Sequence, residues 1–376
     1  MNSSERILNT IRGIEADRVP FTISWNETQR LHGMLSWKNE RERVEYAARM
    51  GWDTHVRMNS TVTPIGVSVK QTVGVKNGKR IMTQLWETPS ATLVEELNFT
   101  ENWDESELRG AYLGFESDFR TTRYIEYPFK NESDLNALRH IFPPDNPYDT
   151  EQLIESYKIK RALADEFGYP LFLYLDSGMD WLFWFYPLEE AVCRAIDEPE
   201  YIFKILGAIN GAKKKRLELL LSLGVDGVIR RGWYECTDMW SPHLLNKFAW
   251  PAIAEEVRMT HEAGKVFVYT LDTGAKAIAA DVAALGIDCV LGLDPVRGDM
   301  TVREIRDALP DVTLWGGLSG PGHFGADSPE TAARAVEEAM SVYGKKRLIL
   351  GMAASYRHYY PWENYLAAEE AWKRLR

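Results

Sequence analysis

The sequence contains few cysteines, and their spacing does not pair them. Cys193, Cys236 and Cys289 lie far apart and form no Cys-x-x-Cys motif. A sparse, odd number of cysteines provides no disulfide framework and favours a reducing compartment. We therefore expect a cytoplasmic protein without structural disulfides.

Long hydrophobic runs are also missing. The opening segment, MNSSERILNTIRG, is polar and amphipathic and lacks the apolar centre of a signal peptide. No stretch reaches the roughly 18 uninterrupted apolar residues that a membrane-spanning helix needs. The most apolar window, residues 170–187, is interrupted by Asp176, Gly178 and Asp180. We expect no membrane partner, and this window predicts a buried strand followed by an aromatic loop.

Positive charge is not in excess. The chain has 44 Lys and Arg against 55 Asp and Glu, giving a formal net charge of -11, which argues against nucleic acid as a partner. With 376 residues, 45% hydrophobic and 26% charged, the composition is that of a globular protein. Barrels of alternating strands and helices reach this length as one unit, so residues 1–376 are predicted to form one domain.

Eight short apolar segments, rich in β-forming residues, alternate with amphipathic helical stretches. They lie at residues 20–25, 52–58, 170–176, 225–231, 265–272, 287–294, 312–318 and 347–353. Their nearly continuous apolar centres are typical of strands covered on both faces, and the order indicates repeated βαβ units. The predicted fold is a (β/α)₈ TIM barrel. A doubly wound open sheet is the alternative, but no Gly-x-Gly-x-x-Gly follows the first strand.

The interval between the second and third predicted strands is unusually long. Residues 59–168 contain an Asn-Gly pair at 77–78 flanked by alternating segments, which predicts an antiparallel β meander. TTRYIEYPF is expected to add a strand and ESDLNALRHIF a helix. Because its apolar content is modest, we interpret this region as an insertion that covers the barrel mouth rather than as a separate domain.

Several stretches resemble the uroporphyrinogen decarboxylase superfamily over almost the whole chain. The first is ERILNTIRGIEADRVPF at residues 5–21, with its Asp-Arg-Val-Pro, and the second is the Asp-Glu-Pro-Glu after the third predicted strand. SPHLLNKFAWPAIAEEVRMTHEAGKVFVYTLDTG, WGGLSG and LILGMAASYRHYYPWENYLAAEEAW complete the likeness. The resemblance implies a barrel that either decarboxylates a porphyrinogen without a cofactor or transfers methyl groups with a corrinoid. The antiparallel insertion resembles the methyltransferase side.

The sequence departs from both chemical patterns of this superfamily. Its thiol methyltransferases hold zinc through a His-x-Cys-Gly after strand five and a Cys after strand eight. Here these places read Leu271-Asp272-Thr273-Gly274 and Met352-Ala353-Ala354-Ser355, so the expected ligands are absent. The Arg-Gln-x-Gly-Arg of the porphyrinogen enzymes is replaced by residues 24–28, SWNET. A thiol methyltransferase with the standard zinc site and a porphyrinogen decarboxylase are therefore both disfavoured.

Polar residues near the carboxyl ends of the predicted strands are the first site candidates, because barrel active sites lie at that face. His55 and Arg57 come from strand two. Candidate catalytic residues are Asp176, Glu235, Tyr269, Asp272 and His358, and candidate substrate-binding residues are Trp25, Asn26, Asp180, Trp181, Arg230, Arg231 and Arg357.

Two interpretations of the charged candidates stay open. Arg230 and Arg231 could clamp a carboxylate or phosphate, or one of them could pair structurally with Asp176 or Glu235. The acids at strand ends are either salt-bridged or act as acid, base or ligand, since an unpaired buried carboxylate is costly.

A metal site and an aromatic wall are further possibilities. Glu235, Asp272 and His358 together offer ligands that zinc accepts, but no His-x-x-x-His or Glu-x-x-His spacing supports such a site, and the metal stays unknown. The aromatic residues at 180–187, with Trp25, either form an apolar wall over the mouth or fill the core.

We expect an enzyme acting on a small molecule. The leading hypothesis is a demethylating methyltransferase that moves a methyl group from a small O- or N-methylated donor to a corrinoid (cobalamin), carried in trans by a separate corrinoid protein. The alternatives are a cofactor-free lyase that acts on a carboxylated substrate and a barrel that binds a ligand without catalysis. A homodimer is compatible with the resemblance.

Overall fold

A computed structural model describes residues 1–23, 37, 39–99, 123–176, 178–353, 357 and 359–376. The strands in these ranges are β1 (Phe21–Thr22), β2 (Val56–Asn59), β3 (Ser68–Lys76), β4 (Lys79–Glu87), β5 (Thr92–Asn98), β6 (Tyr124–Glu126), β7 (Leu171–Leu175), β8 (Gly227–Arg230), β9 (Val266–Thr270), β10 (Cys289–Leu291), β11 (Thr313–Leu318) and β12 (Leu348–Met352).

The α-helices in the same ranges are α1 (Ser3–Ile11), α2 (Glu40–Met50), α3 (Leu138–Ile141), α4 (Pro147–Phe167), α5 (Leu182–Phe185), α6 (Leu188–Asp197), α7 (Pro199–Leu223), α8 (Pro242–Phe248), α9 (Trp250–Glu262), α10 (Ala279–Ala284), α11 (Val302–Ala308), α12 (Pro329–Tyr343) and α13 (Trp362–Leu375). No helix in the described part of the chain has the length and hydropathy needed to cross a membrane.

Eight parallel strands form the central sheet, in the order β1-β12-β11-β10-β9-β8-β7-β2. From β7 to β12, each strand pairs with the next strand along the chain, as in a (β/α)₈ barrel. The predicted fold class is therefore confirmed. Each of the eight predicted segments contains one of these strands or most of it. Among the described residues no ladder joins β1 to β2, the pair at the two ends of the sheet.

The strands are buried on both faces because helices cover the outside and side chains fill the inside. Along β9 every residue is buried. The inward residues alternate with outward ones, as the period of two in a strand requires. The inner cluster consists of Ile7, Ile11, Phe172, Ile229, Val266, Val268, Cys289, Trp315 and Ile349. Its first two members come from α1, which therefore covers the amino-terminal end of the sheet.

Buried ion pairs hold α1 in this position. Arg6 donates to Asp53 at 2.5 Å and to Asp17 at 2.6 Å. Asp53 also accepts from Ser3 at 2.6 Å and from Arg18 at 3.2 Å, and its side chain is fully buried. The segment before β2 is thereby fixed to the first helix.

The insertion is a four-stranded antiparallel sheet, ordered β3-β4-β5-β6, between β2 and β7. Asn77 and Gly78 form its first turn with positive φ angles of 54° and 75°, as a two-residue turn of this hand requires. The predicted meander and the additional strand are confirmed. Trp86 and Leu93 belong to the same buried cluster as the residues around the main sheet, so the insertion packs onto it. Its role as a lid stays a prediction.

We predict that Asp53→Asn lowers the free energy of unfolding by about 3 to 5 kcal/mol, because it leaves the buried Arg6 without its full counter-charge. Urea unfolding measures this. The control is Glu87→Gln, which removes the exposed pair with Lys70 and is expected to change the stability far less, because solvent screens an exposed pair. Equal effects of the two variants would contradict the anchoring role of Asp53.

Candidate functional site

Arg230 and Arg231 at the end of β8 face opposite sides of the sheet. Strand alternation sends Arg230 outward, toward the helices, and Arg231 inward, toward the barrel mouth. Arg230 is fully buried, whereas Arg231 is partly exposed. The two adjacent arginines therefore have different environments.

Arg230 is the centre of a buried ionic cluster, formed by Lys213, Arg230, Glu235, Glu256 and Tyr269. It donates from Nη2 to Glu235 at 2.9 Å, from Nη1 to the second oxygen of Glu235, and from Nε to Glu256 at 3.2 Å. The Tyr269 hydroxyl donates to Glu235 at 2.9 Å, and Lys213 Nζ lies 2.7 Å from Glu256. Two cations thus face two carboxylates, which is the condition for burying ionised groups.

The electrostatics of this cluster keep Glu235 ionised. Burial by itself disfavours the charged carboxylate, but the Arg230 guanidinium outweighs burial and lowers the pKa of Glu235 below its ordinary value. Burial and the Glu235 charge raise the pKa of Tyr269 well above its ordinary value. Glu235 also accepts from the Met179 backbone at 2.9 Å, which ties the loop after β7 to the loop after β8. The geometry favours a positioning role for Arg230, Glu235 and Tyr269, and direct contact with substrate stays a prediction.

Two glycines allow this cluster to pack against the backbone. A Cβ on Gly178 would lie 2.6 Å from Arg230 Nη2, and a Cβ on Gly232 would lie 2.5 Å from the Tyr269 ring. Neither distance accommodates a methyl group, so both loops need glycine at these points.

The inward face of the sheet carries a second set of polar groups. Arg231 Nη2 lies 3.3 Å from Asp176 Oδ1, and Asp176 is buried. Both arginines therefore form the structural pairing that the sequence offered as an alternative. Arg230 pairs with Glu235, and Arg231 pairs with Asp176. Because Arg231 is partly exposed on the inner face, it can still reach a bound anion.

His55 and Tyr174 join the inward set from β2 and β7. His55 Nε2 lies 2.7 Å from the Tyr174 hydroxyl, and the Arg57 guanidinium lies 5.4 Å from the centre of the Tyr174 ring. The sequence candidates did not include Tyr174, because a tyrosine within an apolar run looks like core. The signal that could have identified it is its spacing of two residues from Asp176, which places both side chains on one face.

Asp272, two residues beyond β9, differs from the other acids. Its Oδ1 is buried and has no hydrogen-bond partner among the described residues. Burial and the nearby Asp294 charge raise the pKa of Asp272 to about 6, although Arg297 opposes the shift. A carboxyl with this pKa can hold and release a proton near neutral pH.

Asp294, by contrast, stabilises its own loop through hydrogen bonds. One carboxylate oxygen accepts from the backbone of Val296 at 2.8 Å and of Arg297 at 2.9 Å. The other accepts from Ser319 at 2.9 Å. Asp294 therefore acts as a fixed negative charge beside Asp272.

The remaining candidates are distributed more widely. Asp180 is fully buried and accepts from the Tyr234 backbone at 3.2 Å. Trp181 is 4% exposed and packs edge-on to Phe142, so it belongs to a buried aromatic cluster. Arg357 is exposed. Trp25, Asn26 and His358 lie outside the described residues, and their assigned roles stay predictions.

The described residues do not fit the metal site considered from the sequence. In the ranges that the structure covers, no three His, Cys, Asp or Glu side chains are arranged to hold a metal ion. Glu235 is already bound by Arg230 and Tyr269, and His358 falls outside these ranges.

A solved structure matches the chain over its full length. It is a methyltransferase from Methanosarcina mazei, with a TM-score of 0.59 and 14% identity over 100% of this chain and 99% of that one. The two proteins share a fold. A B12-independent methionine synthase from a Shewanella species matches 56% of this chain and 63% of its own, with a TM-score of 0.40 and 10% identity. No family model and no curated protein sequence matches the chain.

We predict that Gly232→Ala lowers the free energy of unfolding by about 1 to 3 kcal/mol, because the added methyl group overlaps the Tyr269 ring. Gly211→Ala in α7 is the matched control, since its Cβ would meet nothing within 4 Å. It is expected to stabilise the helix by about 0.5 to 1 kcal/mol. Equal free energies of unfolding for Gly232→Ala and Gly211→Ala, measured with urea, would contradict the close packing of Gly232 against the Tyr269 ring.

We predict that Asp272→Asn becomes more stable than wild type as the pH rises. The folded pKa of Asp272, about 6, exceeds the ordinary value of 3.8, so protonation favours the fold and this contribution is lost as the pH rises through 6. The advantage of the variant grows between about pH 4 and pH 6 to the order of 2 kcal/mol. A difference in urea unfolding that does not change with pH would contradict the raised pKa.

Proposed function

We propose that this protein is a methyltransferase of the demethylating kind. It takes a methyl group from a small O- or N-methylated donor and passes it to a corrinoid carried by a separate protein. The sequence resemblance to the uroporphyrinogen decarboxylase superfamily and the fold shared with an archaeal methyltransferase support this proposal. The observation that carries it is Asp272, a partly buried acid at a strand end whose Oδ1 has no hydrogen-bond partner among the described residues.

For an ether or a neutral amine as the donor, the reaction needs a proton at the leaving atom. When the bond between the methyl carbon and the heteroatom breaks, the electron pair stays on the heteroatom, which then takes a proton. Asp272 supplies this proton, because its pKa of about 6 lets it be protonated in part of the molecules near neutral pH. The reduced corrinoid supplies the nucleophile that accepts the methyl group.

The other residues bind and orient the donor. Arg231 contacts an anionic group of the donor on the inner face, beside Asp176. Arg230 and Glu235 hold the loops after β7 and β8, which keeps Arg231 in place. In this scheme the buried cluster acts through position and does not touch the donor.

A cofactor-free lyase is the second candidate. Arg57 and Arg231 both lie on the inner face, where guanidinium groups could bind the carboxylates of a substrate while Asp272 protonates the carbon that loses carbon dioxide. Release of carbon dioxide from a polycarboxylate, without methyl transfer, would favour this candidate.

We predict that wild-type protein forms methylcobalamin from reduced cobalamin and at least one methyl donor in a panel of methyl ethers and methylated amines. Asp272→Asn is expected to lower this rate by about 10² to 10⁴-fold, because it removes the proton donor. The wild-type rate should fall as the pH rises through about 6, since only the protonated acid is active. Absorbance of methylcobalamin measures both effects.

Asp307→Asn is the control, because Asp307 is exposed on α11. It should keep the wild-type rate and pH profile. Absence of methylcobalamin with every donor would refute the proposed function, and ligand-induced stabilisation without any turnover would point to a binding protein.

A further inference from the structure

The inner face of β2 and β7 carries a polar pair that has no part in the proposed proton transfer or anion binding. His55 precedes β2 and Tyr174 lies within β7, and their side chains meet at 2.7 Å between Nε2 and the hydroxyl oxygen. The rings stack with centroids 5.7 Å apart. His55 is buried, whereas Tyr174 is partly exposed. Tyr174 is therefore the member of the pair that a ligand on the inner face can reach.

His55 is held as a neutral imidazole. Its ring meets Phe172 edge-on at 5.6 Å and Trp315 edge-on at 5.5 Å, so apolar rings surround it. Burial, followed by the charges of Arg57 and Arg43, lowers the pKa of His55 well below its ordinary value. A neutral imidazole carries one N–H and one lone pair, and the surroundings decide which nitrogen has which.

The surroundings of His55 favour the proton on Nε2. Nδ1 is buried and has no hydrogen-bond partner among the described residues. A proton on Nδ1 would leave a buried N–H unsatisfied beside two cationic side chains, and orphaned buried N–H groups are rare in proteins. A proton on Nε2 is donated to the Tyr174 oxygen and leaves only a lone pair at Nδ1.

This tautomer sets the direction of the Tyr174 hydroxyl. Since the phenol oxygen accepts from His55, its own hydrogen is available to donate to another group. The Arg57 guanidinium, 5.4 Å from the ring centre, adds positive charge at the same place. A hydroxyl donor beside a cation stabilises an oxygen on which negative charge develops.

We propose that Tyr174 donates a hydrogen bond to the oxygen of the methyl donor, so that the site selects neutral or anionic methyl ethers over methylated ammonium ions. This inference rests on the proposed function and narrows its substrate class. An ether oxygen has lone pairs that can accept from Tyr174 and from Asp272, whereas a methylated ammonium nitrogen has none. Arg57 and Arg231 would in addition repel a cationic donor on this face.

Binding of two probes tests the substrate class without turnover. The probes are 2-methoxyphenol and tetramethylammonium ion, titrated into the full-length protein by calorimetry. Wild type should bind 2-methoxyphenol more tightly than the ammonium ion, and Tyr174→Phe should weaken 2-methoxyphenol binding about tenfold. Tyr169→Phe is the matched control, because it also removes a tyrosine hydroxyl, in this case a buried one that donates to the Trp52 backbone at 3.0 Å. Tyr169 lies just before β7, at the amino-terminal end of the strand. It should leave the affinity unchanged.

The tautomer of His55 is a second test, which needs no variant. Nitrogen NMR of the labelled wild-type protein should show Nε2 protonated and Nδ1 unprotonated. A proton on Nδ1, equal binding by wild type and Tyr174→Phe, or failure of wild type to bind 2-methoxyphenol would each overturn the inference.

The methyl-transfer assay separates this inference from the proposed function. Methylcobalamin formed only from methylated ammonium ions would support the function and overturn the inference. Absence of methylcobalamin from every donor, together with 2-methoxyphenol binding that depends on Tyr174, would refute the function and retain the oxygen-binding role of Tyr174.

Discussion

The buried ion pair between Arg230 and Glu235 is the interaction on which the candidate site depends. An arginine with no solvent exposure is stable only if carboxylates and backbone groups use its donors, and Glu235, Glu256 and the Arg231 carbonyl do so here. The same Glu235 accepts from Met179 and from Tyr269, so one carboxylate fixes the loop after β7 against β8 and β9. Moving any of these partners would shift Arg231 and the inner face.

The same desolvation has the opposite effect on Asp272. Both acids are removed from water near the carboxyl ends of adjacent strands, but Glu235 has a guanidinium in contact and Asp272 has a second carboxylate, Asp294, nearby. The pKa of Glu235 is therefore lowered, and the pKa of Asp272 is raised. Two carboxyl groups whose environments separate their pKa values in this way divide the roles of permanent anion and proton carrier. In the proposed function, Asp272 is the proton donor, and Glu235 keeps the structure around it.

The fold could be predicted from the sequence because its determinants are local. Continuous apolar segments predict the eight strands of the sheet, and the Asn77-Gly78 pair predicts the first turn of the insertion. The site was harder to predict, since it depends on which face each side chain takes. The run ending in Arg230 and Arg231 does not say which arginine faces inward until the register of β8 is known. Tyr174 was missed because a tyrosine within an apolar run looks like core, and the proximity of Asp294 to Asp272 arises only from tertiary structure.

The inner face combines groups that make different demands on a ligand. Arg57, Tyr174 and Arg231 come from the side of the sheet formed by β2, β7 and β8, and they offer positive charge and a hydroxyl donor. Asp272 follows β9, farther around the sheet, and offers a proton. In the proposed reaction, the oxygen of the donor accepts a hydrogen bond from Tyr174 while bound and a proton from Asp272 when it leaves. In the proposed function, a ligand without such an atom would leave the Tyr174 donor unpaired, and that cost would make the face selective.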